Sequence, residues 1–214
     1  MHPSSRRYMQ QMFRRHAASR PCGHVLDIGA MGRRPFYRSI WEGGGWKYTG
    51  CDLVAGPNVD TVLEDPFVLP FGDESVDALI SGQMLEHNEM FWLTFLEMAR
   101  VLRMGGLMVH IAPSRGHEHR APQDCWRFYR DGMTALVRWS GLAVLEATTD
   151  WETRHLETLA EISPRRRRRM EGTYRRLDTE WGDTVGVFEK STPTAESVGM
   201  GYVHLFASRI GTGG

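Results

Sequence analysis

Val25-Leu26-Asp27-Ile28-Gly29-Ala30 is a short apolar run that breaks on an acid and a glycine. A buried strand that turns sharply at its carboxyl end has this composition, because glycine tolerates positive φ and lets a ligand approach the backbone. Outward from this run, strand and helix signals alternate. Upstream, Ser4 to Ser19 carries no helix breaker and reads as an amphipathic helix. Downstream, His24 to Ile28 is followed by a helix over Pro35 to Trp41, closed by Gly43-Gly44-Gly45. Trp46 to Leu53, Val59 to Leu63 and Val76 to Ser81 then read as strands. Met90 to Leu102 is a helix with Phe91, Phe95, Met98 and Leu102 on one face, Glu97 and Arg100 away from it, and Gly105-Gly106 as its stop. Leu107 to Ala112 is apolar throughout, as a parallel strand covered on both faces should be. Asp131 to Ser140 is a further helix capped by Gly141, Leu142 to Ala147 a strand, Trp151 to Ser191 a less regular stretch, and Gly201 to Ile210 the expected last strand. Strands alternating with helices imply a parallel sheet with right-handed crossovers.

The 214 residues, 41% of them hydrophobic, suffice for one substantial core and not for two ordinary enzyme domains. One domain is therefore expected over 1–214, with an N-terminal helix at 1–20, a core at 22–148, an irregular insertion at 149–195 and a last strand at 200–210. The formal net charge of +0 gives no global field to gather polyanions or an anionic membrane. Arg165 to Arg169 is an unbroken run of arginines, yet Glu161, Glu171, Asp178 and Glu180 lie among its neighbours, so it reads as a solvated face and a nucleic-acid partner is not expected. Cys22, Cys51 and Cys125 show no paired-ligand spacing and read as reduced thiols packed as small hydrophobes. Without an apolar leader segment or a long apolar run, the expectation is a soluble, cytoplasmic protein with no membrane partner.

A nucleoside cofactor at the carboxyl ends of parallel strands needs a glycine turn, a carboxylate for ribose hydroxyls and a polar contact for the base. Gly29 and Gly32 supply the first, Asp52 at the end of the second strand the second, and Asp65 after the third strand the last. Each signal alone is also common turn chemistry. After the strand Leu107 to Ala112 comes Pro113-Ser114-Arg115-Gly116-His117-Glu118-His119-Arg120-Ala121-Pro122-Gln123-Asp124-Cys125-Trp126-Arg127-Phe128, rich in titratable and aromatic groups. Its plain reading is a polar loop anchored by Trp126 and Phe128. Its functional reading is a base: His119 first and His117 second, backed by Glu118 and Asp124.

Over Cys22 to Leu145 the chain resembles the class I methyltransferases. The blocks that carry the resemblance are Val25 to Ala30, Gly50-Cys51-Asp52-Leu53, Leu69-Pro70-Phe71-Gly72-Asp73-Glu74-Ser75-Val76-Asp77, Leu85-Glu86-His87 and Arg100-Val101-Leu102-Arg103-Met104-Gly105-Gly106. The resemblance implies an α/β fold: a Rossmann-like three-layer sandwich with a mostly parallel seven-stranded sheet, helices on both faces and an antiparallel C-terminal strand. It implies S-adenosylmethionine as cofactor, with Asp27, Gly29 and Ala30 near its methionine end, Asp52 and Leu53 at the ribose, Asp65 and Pro66 at the adenine, Gln83 beside the sulfonium, and His87 next to the cofactor as the third candidate base. Met31 and Arg33 stand where the family usually has further glycines, with Gly32 between them; hydride chemistry is the enzymatic alternative for that reason. The His, Pro, Gln, Asp, Trp-Arg-Phe pattern of the 117–128 loop resembles small bacterial glycan methyltransferases, including those of actinobacterial methylated polysaccharides. It implies a sugar or oligosaccharide hydroxyl as acceptor, with Trp126, Phe128, Trp151 and Trp181 able to stack on sugar faces. Another small molecule, a nucleic acid or a non-catalytic binding role are the alternatives. A divalent cation on some of His117, His119, Asp124 and Glu86 suits the donor types, but the spacing matches no ligand motif and no metal is assigned. Leu93 and Leu96, opposite the main helix face, call for cover by the region after Trp151 or by a second copy in a homodimer.

Overall fold

The computed structural model describes residues 3–150 and 181–194. A seven-stranded sheet forms its middle layer, in the order β3-β2-β1-β4-β5-β7-β6. The strands are β1 (His24–Ile28), β2 (Lys47–Asp52), β3 (Thr61–Val62), β4 (Val76–Gly82), β5 (Leu102–Arg115), β6 (Leu142–Thr149) and β7 (Gly182–Lys190). β1 to β5 pair in parallel, and β7 lies antiparallel between β5 and β6. The α/β three-layer architecture read from the sequence is the one observed.

The helices are α1 (Pro3–Met12), continued by a π-helical turn at Phe13–Ala17, then α2 (Phe36–Gly43), α3 (Phe91–Val101), α4 (Arg130–Ala135) and α5 (Val137–Ser140). Alternate strand residues feed two cores, as the period of a strand requires. Leu26, Ile28, Leu79, Met108 and Phe188 face α3, packing against Phe95 and Met98. Val25, Tyr48, Ile80, Val109 and Val187 face α1 and α2, packing against Met9, Tyr37 and Trp41. Trp41 is fully buried and meets the rings of Phe13 and Trp46 edge-on. Truncating such a side chain to alanine typically destabilises by about 3–5 kcal/mol.

Several boundaries differ from the sequence reading. The antiparallel strand falls at 182–190, inside the stretch read as irregular, whereas the strand expected at Gly201 to Ile210 lies outside the described residues. The single helix expected over Asp131 to Ser140 is divided at Leu136 into α4 and α5. Glu97, expected to point away from the core, is buried: it accepts from Leu69 N at 2.8 Å and pairs with Arg100, whose guanidinium also holds the Leu69 and Phe71 carbonyls. A buried carboxylate is tolerated there because both its charge and its acceptors are matched. Leu96 is buried and Leu93 half-buried.

Neighbours β2 and β3 lie on one side of β1, and β4 and β5 on the other. The order of the chain reverses between β1 and β4, and the crevice outside their carboxyl ends is where open α/β sheets bind ligands.

Candidate active site

The β1 side of the crevice is built around Gly29. Its φ is +82°, and a Cβ there would lie 2.7 Å from Met84 Cγ, so both backbone and neighbour require glycine. Gly29 N and Ala30 N donate to Cys51 O, Met31 N donates to Asp52 Oδ2 at 3.0 Å, and Gly32 N donates to Pro57 O. Asn58, itself at φ 74°, donates from Nδ2 to Ala30 O. The loop is thus held by the turn around Pro57 and Asn58, which explains how it accommodates Met31 and Arg33 in place of glycines. Asp27 is buried, and Tyr48 donates its hydroxyl to Oδ2 while Oδ1 has no partner among the described residues. Burial pushes its carboxyl up to about 7, against the Tyr48 hydrogen bond.

Asp52 closes β2, and Leu53 beyond it is half exposed. Asp65 is exposed and accepts from Phe67 N, while Pro66 O accepts from Thr94 Oγ1. Gln83 follows β4 with φ 60°, a conformation sparsely populated by residues other than glycine. Its backbone N donates to Ile111 O and its Nε2 to Asp183 Oδ1, whereas Oε1 is buried with no partner among the described residues. The nine cofactor positions read from the sequence lie at or after the carboxyl ends of β1, β2, β3 and β4.

The opposite side is built by the turn Leu85–His87 and the 116–128 loop that follows β5. Cys125 N and Trp126 N donate to Glu86 O, and Gln123 Nε2 donates to His87 O, clamping the two segments together. His87 Nδ1 meets Gln123 O. The His87 and His119 rings meet edge-on, 4.9 Å between centroids, and Trp181 packs against His119 at the same distance. Glu86 is fully buried behind them, and burial pushes its carboxyl up to about 8. Its Oε1 lies 3.7 Å from His87 Nε2 and 4.0 Å from His119 Nε2. Burial lowers the pKa of His119, partly countered by Asp124. Asp124 in turn takes a two-pronged ion pair from Arg127, which holds its carboxyl well below the usual range.

The sequence-chosen residues are only partly brought together. His119 and His87 converge, whereas His117 sits exposed at the rim, its ring centroid 6.4 Å from that of His119. Asp124 backs His119; Glu118 instead pairs with Arg120 at the surface. Of the four residues considered for a cation, Glu86 and His119 join His87 in a group whose ligand atoms lie within 4.8 Å of one another, without His117 or Asp124. Sequence reasoning missed Asp183, which is buried and accepts from Gln83, from Trp181 and from Ser4 at the start of α1. No local motif marks it; the long-range placement of β7 makes the junction. Trp126 stands partly exposed beside Trp92, and Phe128 is buried, while Trp151 and Arg165 to Arg169 lie outside the described residues.

Residues 26–110 match the sequence model of the methyltransferase domain family, about two fifths of the chain. An uncharacterized methyltransferase of Mycobacterium avium is 34% identical over 119 residues, which cover 48% of this chain and 46% of that protein. The chain therefore aligns with about half the length of such relatives. Among solved structures, the [4+2]-cyclase SpnF superposes with a TM-score of 0.62 at 17% identity, over 87% of this chain and 82% of its own. A sarcosine dimethylglycine methyltransferase from Galdieria sulphuraria, so named provisionally, gives 0.59 at 17% identity over 88% and 86%. At such identities the likeness is one of fold: the Rossmann-like sandwich of the methyltransferases.

Proposed function

We propose that this chain is a class I S-adenosylmethionine-dependent methyltransferase that methylates a hydroxyl of a sugar or oligosaccharide. The observation that carries the reading is the pairing of two unlike sites across one crevice: the Asp27, Gly29 and Asp52 cradle after β1 and β2, and the Glu86, His87 and His119 cluster beyond β4. The methyltransferase-domain match over the intervening segment supports it.

The residues suit the cofactor on observations of the chain itself. Asp27 Oδ1 and Gln83 Oε1 are buried acceptors awaiting donors, and Gly29 leaves its turn open to close approach. Asp27, Gly29 and Ala30 would hold the methionine end, Asp52 and Leu53 the ribose, Asp65 and Pro66 the adenine. Gln83 would border the sulfur. When bound, S-adenosylmethionine supplies a methyl group on positively charged sulfur, which leaves as a neutral thioether as the acceptor takes the methyl. The chain's part is to align the acceptor, exclude water and take the hydroxyl proton. His119, oriented by Asp124 and desolvated by Trp181, is the group assigned to that proton; His87 is second and His117, at the rim, third. The exposed rings of Trp92 and Trp126 favour a sugar acceptor, since such rings stack on the apolar faces of pyranosides. No helix among the described residues is long and apolar enough to cross a membrane.

Calorimetry with S-adenosylmethionine and with NAD, followed by incubation with labelled cofactor and fractionated glycans, tests the reading. Binding of the first and not the second, with label entering a glycan fraction, is the expected result. No affinity for S-adenosylmethionine would sink the methyltransferase assignment; affinity with label entering only other acceptors would sink the sugar assignment. Because the fold also occurs in a cyclase, tight binding without any methyl transfer would point to a different role for the same scaffold.

A further inference from the structure

We propose that Glu86, His87 and His119 form a binding site for a divalent first-row transition ion of the zinc type. The three ligand atoms lie within 4.8 Å of one another, and both imidazole Nε2 atoms lie near the same oxygen, Oε1 of Glu86, at 3.7 and 4.0 Å. An ion bonded at 2.0–2.2 Å asks for roughly 3.0–3.6 Å between its ligand atoms. The separations here exceed that range, so binding would draw the two rings inward.

The remote nitrogens complete the argument. His87 Nδ1 meets the Gln123 carbonyl, which accepts only if that nitrogen carries the hydrogen, so Nε2 presents a lone pair. His119 Nδ1 lies 3.2 Å from Asp124 Oδ2 and is biased the same way. Histidines that bind metals are oriented by such a carbonyl or carboxylate behind the ring. In front of the rings, Glu86 is fully buried, and no other described residue donates a hydrogen bond to either of its oxygens. Two half-buried imidazoles and the buried Glu86 carboxyl thus converge on one point, and a cation placed there would be bonded by all three. Two imidazoles with one carboxylate favour zinc, cobalt or manganese over magnesium, which prefers an all-oxygen shell. The scaffold is already rigid, because the backbone of Glu86 and His87 is tied to Cys125, Trp126 and Gln123.

What the ion would do rests on the methyl-transfer reading: beside an acceptor hydroxyl it lowers that group's pKa, with His119 serving as ligand instead of base. Whether the ion binds does not rest on it. The experiment is titration of the chelator-treated, full chain with Co2+, followed by visible absorption and by displacement with Zn2+ and Mg2+, alongside calorimetry with S-adenosylmethionine. One Co2+ per chain is expected, displaced by Zn2+ far better than by Mg2+. The isosteric Glu86→Gln and the variants His87→Ala and His119→Ala should each abolish the absorption. Asp124→Asn, which keeps every ligand, should weaken binding by about 10–100-fold. Circular dichroism checks that each variant is folded. Folded wild-type chain that takes up no Co2+ or Zn2+, or an absorption unchanged in all three ligand variants, would overturn the site. Cofactor affinity without metal uptake would remove this proposal and leave the methyltransferase reading standing; metal uptake without cofactor affinity would do the reverse.

Discussion

Asp27 and Glu86 are both carboxylates buried at the carboxyl edge of the sheet, one within β1 and the other in the turn after β4. Asp27 has a hydroxyl donor in Tyr48 and one vacant oxygen; Glu86 faces two imidazoles and has no donor from another described residue. Burial raises both carboxyls, Asp27 to about 7 and Glu86 to about 8. The difference lies in what each is prepared to receive. A carboxylate with one oxygen hydrogen-bonded and one open suits a ligand bearing a donor, such as an ammonium group. A carboxylate set against lone pairs suits a bare cation or a proton. On the proposed function, one crevice would carry a binding half around Asp27 and a reacting half around Glu86, with opposite demands.

The largest effect expected from this division is on the reacting half. His119→Ala should lower turnover by about 10²–10⁴, the usual worth of a positioned proton acceptor, while cofactor affinity by calorimetry stays within about twofold. A matching loss of cofactor affinity would mean that the halves are not separable. Next comes Asp52→Ala, which removes the acceptor of Met31 N as well as the proposed ribose contact. Hydrogen bonds to a charged group are worth about 1.5–3 kcal/mol, so the cofactor Kd should rise by about 10–150-fold. Unchanged affinity would refute the ribose assignment.

The smallest effect concerns Asp27 without ligand. Its folded pKa of about 7 exceeds the ordinary value of 3.8, so the folded state holds a proton that the unfolded state releases first. Its contribution is therefore fully present below about pH 4 and declines as pH rises towards 7. Asp27→Asn should remove that decline and raise the Tm of the cofactor-free chain at pH 8 by about 3–8 °C, with the two proteins converging below pH 4. A variant no more stable at pH 8 than the parent would show that Tyr48 already offsets the burial.

The residues proposed for the binding half were picked out in the sequence because their signals are local. Asp27 and Gly29 are two residues apart, and Asp52 ends a strand whose apolar run is plain. The loop's tolerance of Met31 and Arg33 was not legible, since its support comes from Pro57 and Asn58, which approach only once β2 and β3 pair beside β1. The reacting half was legible as a set of residue types and not as an arrangement. Composition offered His117, His119, Glu118 and Asp124 on equal terms; the loop's path exposes His117 and Glu118 and turns His119 towards Glu86. Asp183 carried no signal because its partners Ser4 and Gln83 lie 179 and 100 residues away in the chain. β7 itself was hidden by composition: Gly182, Asp183, Thr184, Gly186, Glu189 and Lys190 dilute its apolar residues. Those polar groups are nevertheless accommodated, with Lys190 donating to Ala99 O and Gly186 fitting where a Cβ would lie 2.6 Å from Met133.

The place of β7 between β5 and β6 has a consequence for assembly. During synthesis β5 and β6 emerge first and have no edge in common, since the strand that joins them is made later. The sheet can close only by inserting a late segment into a waiting slot, with both of its edges pairing at once. Closure of that slot is a long-range contact of the kind that slows folding. Until it happens the flanks of β5 and β6 are open edges prone to pair with another chain. The same closure brings Asp183 to Gln83, so this corner of the crevice forms in the step that pairs the facing edges of β5 and β6 with β7.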